Sequence, residues 1–213
     1  MQLKQGAQVY SAANDRVGEI DRVVIHPRTR VVTHIVVRKG ILFKEDKVVP
    51  MSLIAAANDD RLLLREDAGD LKDLPPFEEQ HYVVADEHEL ARTGGDRYVP
   101  MLYWYPPLVP PQGTPYAAAP PYVTETERNI PAGTVALHEG AKVIAGDDED
   151  VGRVEQVLTS PDADRATHIV IEEGLLNKQH RLIPIIWIES ITEEEVRLAI
   201  DSQQIERLKP YEV

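Results

Sequence analysis

Two histidines occupy matching places in this chain: His34 in Thr33-His34-Ile35-Val36, and His168 in Thr167-His168-Ile169-Val170. Imidazole titrates near neutrality, so such a residue can carry a proton or ligate a metal. A strand histidine that points away from its apolar neighbours can equally be half-buried or paired across a sheet, so both are read as pH-sensitive or structural. A second group, His81, Asp86, Glu87, His88 and Glu89, contains metal-ligating types. Its spacing matches no zinc pattern, and residues 86–92 read as a short charged helix. The run Asp147-Asp148-Glu149-Asp150 offers oxygens to calcium. It lacks the alternate spacing and closing glutamate of a calcium loop, and a solvated hairpin turn is expected. There is no Gly-x-Ser-x-Gly elbow, no phosphate-cradling glycine loop and no His-Glu-x-x-His. The expectation is a protein with no catalytic residues, no metal site and no cofactor, and not an enzyme.

The segment Tyr98–Tyr122 holds half of the prolines and five of the eight tyrosines. Pro-rich chain favours extended polyproline II and loses little entropy on docking. Tyr103, Trp104 and Tyr105 are typical interface anchors and are the partner-binding candidates. Left in water, these rings with Met101, Leu102, Leu108 and Val109 would make an unusually apolar patch. Docking is expected, in cis or within an oligomer.

The elements that position these residues occur twice. Gly6-Ala7-Gln8-Val9 returns as Gly140-Ala141-Lys142-Val143, Val17-Gly18 as Val151-Gly152, and Gly40, Pro50 and Ile54 as Gly174, Pro184 and Ile188, all at an offset of about 134 positions. An internal repeat at a fixed offset decides domain organisation before any other reading. Two homologous modules are expected at 3–78 and 137–212, with a Pro/Tyr-rich connector at 79–136. Each has the length to bury a core of its own. Within each, short β-branched runs alternate with turns, as in a small barrel or sandwich. Strands are expected at 7–10, 18–26, 31–39, 47–50, 52–54 and 61–65, and at the matching places in module two. A helix is expected at 202–208. Apolar residues are denser at Leu182–Ile188 than at Val48–Ile54, so module two is expected to be the more stable alone.

Composition narrows the partners. The 213 residues carry a formal net charge of −13. Phosphate backbones select Lys and Arg, so nucleic acid is not expected as a partner, and anionic lipid is not attracted by charge. Without cysteine there is no disulfide framework or thiolate chemistry. No apolar run reaches the roughly 18–20 residues of a membrane span, and the start shows no signal-peptide pattern. A cytoplasmic protein is expected, with no direct membrane insertion.

The Gly-x-x-Val near each module start, the Val-Gly before a long strand, the Thr-His-Ile-Val strand ending in Gly, and the Pro after paired aliphatics resemble the PRC-barrel family. This small β-barrel occurs in the photosynthetic reaction-centre H subunit and in the ribosome maturation factor RimM. The resemblance implies a mainly β chain with two PRC-type barrels in tandem, joined by the connector with its short helix. It also implies a non-enzymatic interaction or assembly role, with a protein partner or self-association, including a homo-oligomer. The alternative it implies is a ribosome- or RNA-associated maturation factor, or a peripheral component of a photosynthetic or membrane electron-transfer complex. Lys44 and Lys47 in one hairpin, and Lys178, His180 and Arg181 in the other, would give the two modules differently charged surfaces.

Overall fold

The structure, a computed structural model, describes residues 1–38, 45–58, 60–69, 71–84, 122–138, 140–160, 164–174 and 179–212. Seven strands open the chain: Gln2–Lys4 (β1), Gln8–Tyr10 (β2), Arg16–Ile25 (β3), Val32–Arg38 (β4), Lys47–Pro50 (β5), Ile54–Ala57 (β6) and Arg61–Leu64 (β7). Glu78–Val84 (β8) and Tyr122–Arg128 (β9) follow. The repeat then resumes with Val135–His138 (β10), Lys142–Ile144 (β11), Asp150–Thr159 (β12), Ala166–Glu173 (β13), Gln179–Pro184 (β14), Ile188–Ile191 (β15) and Glu195–Leu198 (β16). The last element is a short helix, Ser202–Glu206 (α1). The fold is mainly β, and α1 is the one α-helix among the described residues. No helix among the described residues is long and apolar enough to cross a membrane.

Two places expected as strands are 3-10 turns, Met51–Leu53 and Ile185–Trp187. In each, a proline fixes the preceding backbone in the extended region, and the turn buries its first residue, Met51 or Ile185. Apolar content alone does not separate such a buried turn from a buried strand. The middle segment also differs from a plain connector: β8 and β9 pair antiparallel, from Glu78 opposite Arg128 to Val84 opposite Tyr122. The helix expected at 86–92 lies outside the described residues.

Each repeat supplies six strands of a seven-stranded sheet, and the two orders are equivalent: β5-β4-β3-β2-β7-β6 and β14-β13-β12-β11-β16-β15. Neither sheet closes into a barrel: one path ends at β5 and β6, the other at β14 and β15.

The seventh strand of each sheet comes from the other repeat. β1 pairs antiparallel with β12, Leu3 opposite Val157. β10 pairs antiparallel with β3, Leu137 opposite Val23. The repeat offset carries one pairing onto the other, so the exchange is reciprocal. It also carries Val31 onto Arg165, and these two residues bridge each other. Around them the Val32 N–H donates to the Asp164 carbonyl and the Ala166 N–H to the Arg30 carbonyl, both at 2.8 Å. A residue paired with its own repeat equivalent lies on a two-fold axis. The halves are thus related as the subunits of a C2 dimer would be.

Packing follows the exchange. Leu3, Val9, Ile20 and Ile35 of the first half and Leu137, Val143, Val154 and Ile169 of the second belong to one continuous buried cluster. In place of two separate cores, one per module, the halves share this large core, with a second, smaller cluster of Val24, Val36, Val48, Phe77 and Ala136. Contacts group Met1–Phe77 with Asn129–Val213 as one compact unit, with Glu78–Arg128 as a second.

Candidate functional site

The repeated motifs are explained first by structure. Thr33 Oγ1 donates to the Val24 carbonyl at 3.5 Å and Thr167 Oγ1 to the Leu158 carbonyl at 3.2 Å, so each Thr ties its strand to the long strand beside it. His34 and His168 stand in register opposite Pro50 and Pro184. Both are half-buried. The His34 Nδ1 is buried without a hydrogen-bond partner, and burial holds its imidazole below the ordinary value. Unfolded histidine titrates near 6.5. The unfolded chain therefore binds the proton first, and stability falls as pH drops from about 6.5 toward the lower folded value. Above that window His34 is neutral in both states and costs nothing. Denaturation midpoints across pH 5–8 should show a decline on the acid side that is reduced in His34→Gln. An unchanged slope in that variant would remove His34 as its source.

The acidic turn is held by the protein's own donors. Asp147 accepts from the Ser202 hydroxyl at 2.7 Å and from the Ser202 N–H, and this hydroxyl bond chiefly holds its carboxyl below the usual range. Asp148 pairs with Arg197, and Asp150 with Arg153. Asp201 and Gln204 close a capping box on α1, which buries Ile205. The expected solvated turn is thus also a tether for α1.

This tether marks a difference between the halves. In the first, the helix is replaced by 3-10 turns at Glu66–Ala68 and Leu71–Asp73. A cleft of about 530 Å³ opens there, lined by Ser11, Asp15, Val17, Leu64, Ala68 and Leu71 among others. Its volume falls within the usual range for ligand pockets, about 300–1,000 Å³.

A second difference lies at the turn after β5 and β14. The first half has Met51-Ser52-Leu53 and the second Ile185-Ile186-Trp187. Ile186 is 83 % exposed, the one exposed large hydrophobic side chain among the described residues. Trp187 beside it packs partly on the core, which fixes the turn from below.

Charged residues at the seam between halves also diverge. Asp21 and Glu155 sit at equivalent β-bulges, where β3 and β12 shift register against their neighbours. Around Asp21 are Arg22 and Arg38, and Arg22 also reaches Glu193 of the second half at 3.6 Å. Around Glu155 are Lys4 from β1 at 3.1 Å and His180 at 3.0 Å, with Glu172 3.7 Å from His180.

The basic hairpins expected as surface charge are used otherwise where they are described. Lys47 and Arg181 are buried. Arg181 donates to the carbonyls of Ile205, Glu206 and Leu208 and pairs with Glu173 at 3.0 Å, fastening the chain end. Lys44 and Lys178 lie outside the described residues. So do Tyr103, Trp104 and Tyr105, and Asp86, Glu87, His88 and Glu89. His81 stands in β8, opposite Glu125. Ile186 was missed because an isoleucine inside a dense apolar run signals burial, and the proline-set turn reverses that.

Residues 5–71 match the PRC-barrel domain. Residues 137–206 match a different family, described as an uncharacterized protein conserved in bacteria (DUF2171). No curated protein matches the chain. PRC-barrel domains are modules of the protein-interaction and assembly type. The second half, though matched to another family, repeats the strand order of the PRC-barrel half.

Proposed function

We propose that this chain is a non-enzymatic assembly module built from two PRC-type halves, and that it binds a protein partner through the second half. The match of residues 5–71 to an interaction-type domain carries the reading. The shared strand order supports treating residues 137–206 as a diverged second copy. Ile186 supplies the contact: it is an exposed aliphatic side chain on a turn anchored by Ile185 and Trp187. A preorganised apolar knob binds at low ordering cost. The Tyr98–Tyr122 stretch is the second candidate contact, and two tethered contacts raise effective concentration.

Affinity capture from the native host, with partners identified by mass spectrometry, tests this. Wild type runs beside Ile186→Asp and beside a chain lacking 98–122. The expected result is one dominant partner, reduced at least about tenfold by Ile186→Asp, a loss of the size interface anchors show. A partner retained by that variant and lost on the deletion would move recognition to the connector. Absence of any partner, with no self-association at micromolar concentration, would overturn the assembly role.

A further inference from the structure

We infer that Glu155, Glu172 and His180 form a binding site for one divalent cation of the zinc class. The three residues come from β12, β13 and β14, neighbouring strands of the second sheet. Glu172 and His180 are direct cross-strand partners. The bulge at Glu155 sets that residue out of the regular ladder, and bulges of this kind re-aim a side chain.

Distances fit a shared ion. His180 Nε2 lies 3.0 Å from Glu155 Oε2 and 3.7 Å from Glu172 Oε2. One ligand atom from each residue can be chosen so that all three lie within 4.8 Å of one another. Ligands held about 2.1 Å from a tetrahedral zinc stand roughly 3.4 Å apart, so small adjustments would close the site. The donor set, one imidazole and two carboxylates, is a zinc-class set that leaves a fourth position open.

The burial of Glu155 Oε2 adds to the geometry. This oxygen is inaccessible to solvent, and no hydrogen bond reaches it despite the nearby imidazole nitrogen. Lys4 takes the other oxygen of the same carboxylate. A carboxylate oxygen turned from water toward an imidazole nitrogen and a second carboxylate is placed to share a cation.

The first half provides an internal comparison. The repeat offset carries Glu155 onto Asp21, Glu172 onto Arg38 and His180 onto Asp46. Arg38 pairs with Asp21 there, so an arginine occupies the place of the second carboxylate. One half neutralises its bulge carboxylate with a guanidinium, and the other has the ligands for a metal. The site is independent of the proposed partner binding, since Ile186 takes no part in it.

The untagged full chain, stripped with chelator, is titrated with Co²⁺ and followed by visible absorption and calorimetry. The expected result is one equivalent bound with ligand-field bands, displaced by Zn²⁺. Affinity should fall at least tenfold in His180→Ala and in Glu172→Arg. The second variant installs the half-one ion pair and so is expected to stay folded, with the wild-type circular dichroism spectrum. No saturable Co²⁺ binding by wild type would overturn the inference. So would binding that survives either substitution, or a stoichiometry of two.

Discussion

Expressed separately, residues 1–77 and 129–213 will not give cooperatively folded monomers, and mixing the two will restore one folded species. Each half lacks the strand that the other lends it. Without β1, the Val157 side of β12 loses Leu3, a fully buried side chain. Without β10, β3 loses Leu137 and Ala136. Both sheets would expose a ladder edge beside an apolar surface, the arrangement that templates association. Each half alone is therefore expected to be unfolded, or to self-associate by repeating the exchange with a second copy. Light scattering with thermal circular dichroism decides it, and a monomeric half with a sigmoidal melt would refute it. In the intact chain, Leu3→Ala and Leu137→Ala should each cost about 2–5 kcal/mol, the usual range for buried leucine. The two-fold relation makes their effects similar. The greater stability expected of module two alone presupposes a half that stands alone, which the strand exchange argues against.

Gly152→Ala is expected to be the most damaging conservative substitution in the second half. At Gly18 an added Cβ would fall 2.6 Å from both the Arg38 carbonyl oxygen and Val37 Cγ1. At Gly152 it would come closer still to the Glu172 carbonyl. The carbonyl contacts are with the neighbouring strand's backbone, which cannot rotate away. Gly152 also has φ of 131°, a region L-residues rarely adopt. Overpacking of about 1–3 kcal/mol and a backbone cost of about 1–3 kcal/mol together predict a loss of about 2–6 kcal/mol. Total stability of such a unit is about 5–15 kcal/mol. Gly18→Ala carries the packing cost without the backbone one and should lose less. Urea denaturation of the three proteins measures the order. Equal midpoints for wild type and Gly152→Ala would mean that β12 and β13 separate freely at this point.

Much of the local structure was legible because it has a local cause. The β-branched runs of β3, β4, β12 and β13 show strand periodicity, and the turns between them carry Asn, Asp, Pro or Gly. The repeated Val-Gly and Thr-His pairs pointed to two copies of one plan. Their reasons are physical: the glycines clear a carbonyl, and the threonines bond across to the long strand. The Arg181 contacts with α1 were not legible, because three carbonyls of a distant segment leave no trace in the spacing around Arg181. The cluster of Glu155, Glu172 and His180 was hidden for the same reason. Its members are 8 to 25 positions apart, and only the register of three strands brings them together.

By itself the sequence determined that the chain is mainly β, that its plan occurs twice in register, and that no disulfide can hold it. These follow from residue type and period, which act over a few neighbours. The tertiary structure decided which strand pairs with which. β1 and β10 are three- and four-residue strands with equivalent partners available in either half, and local propensity cannot choose between them. Burial of Leu3 and Leu137 across the two-fold decides it. That choice joins two halves of equivalent strand order into one shared core.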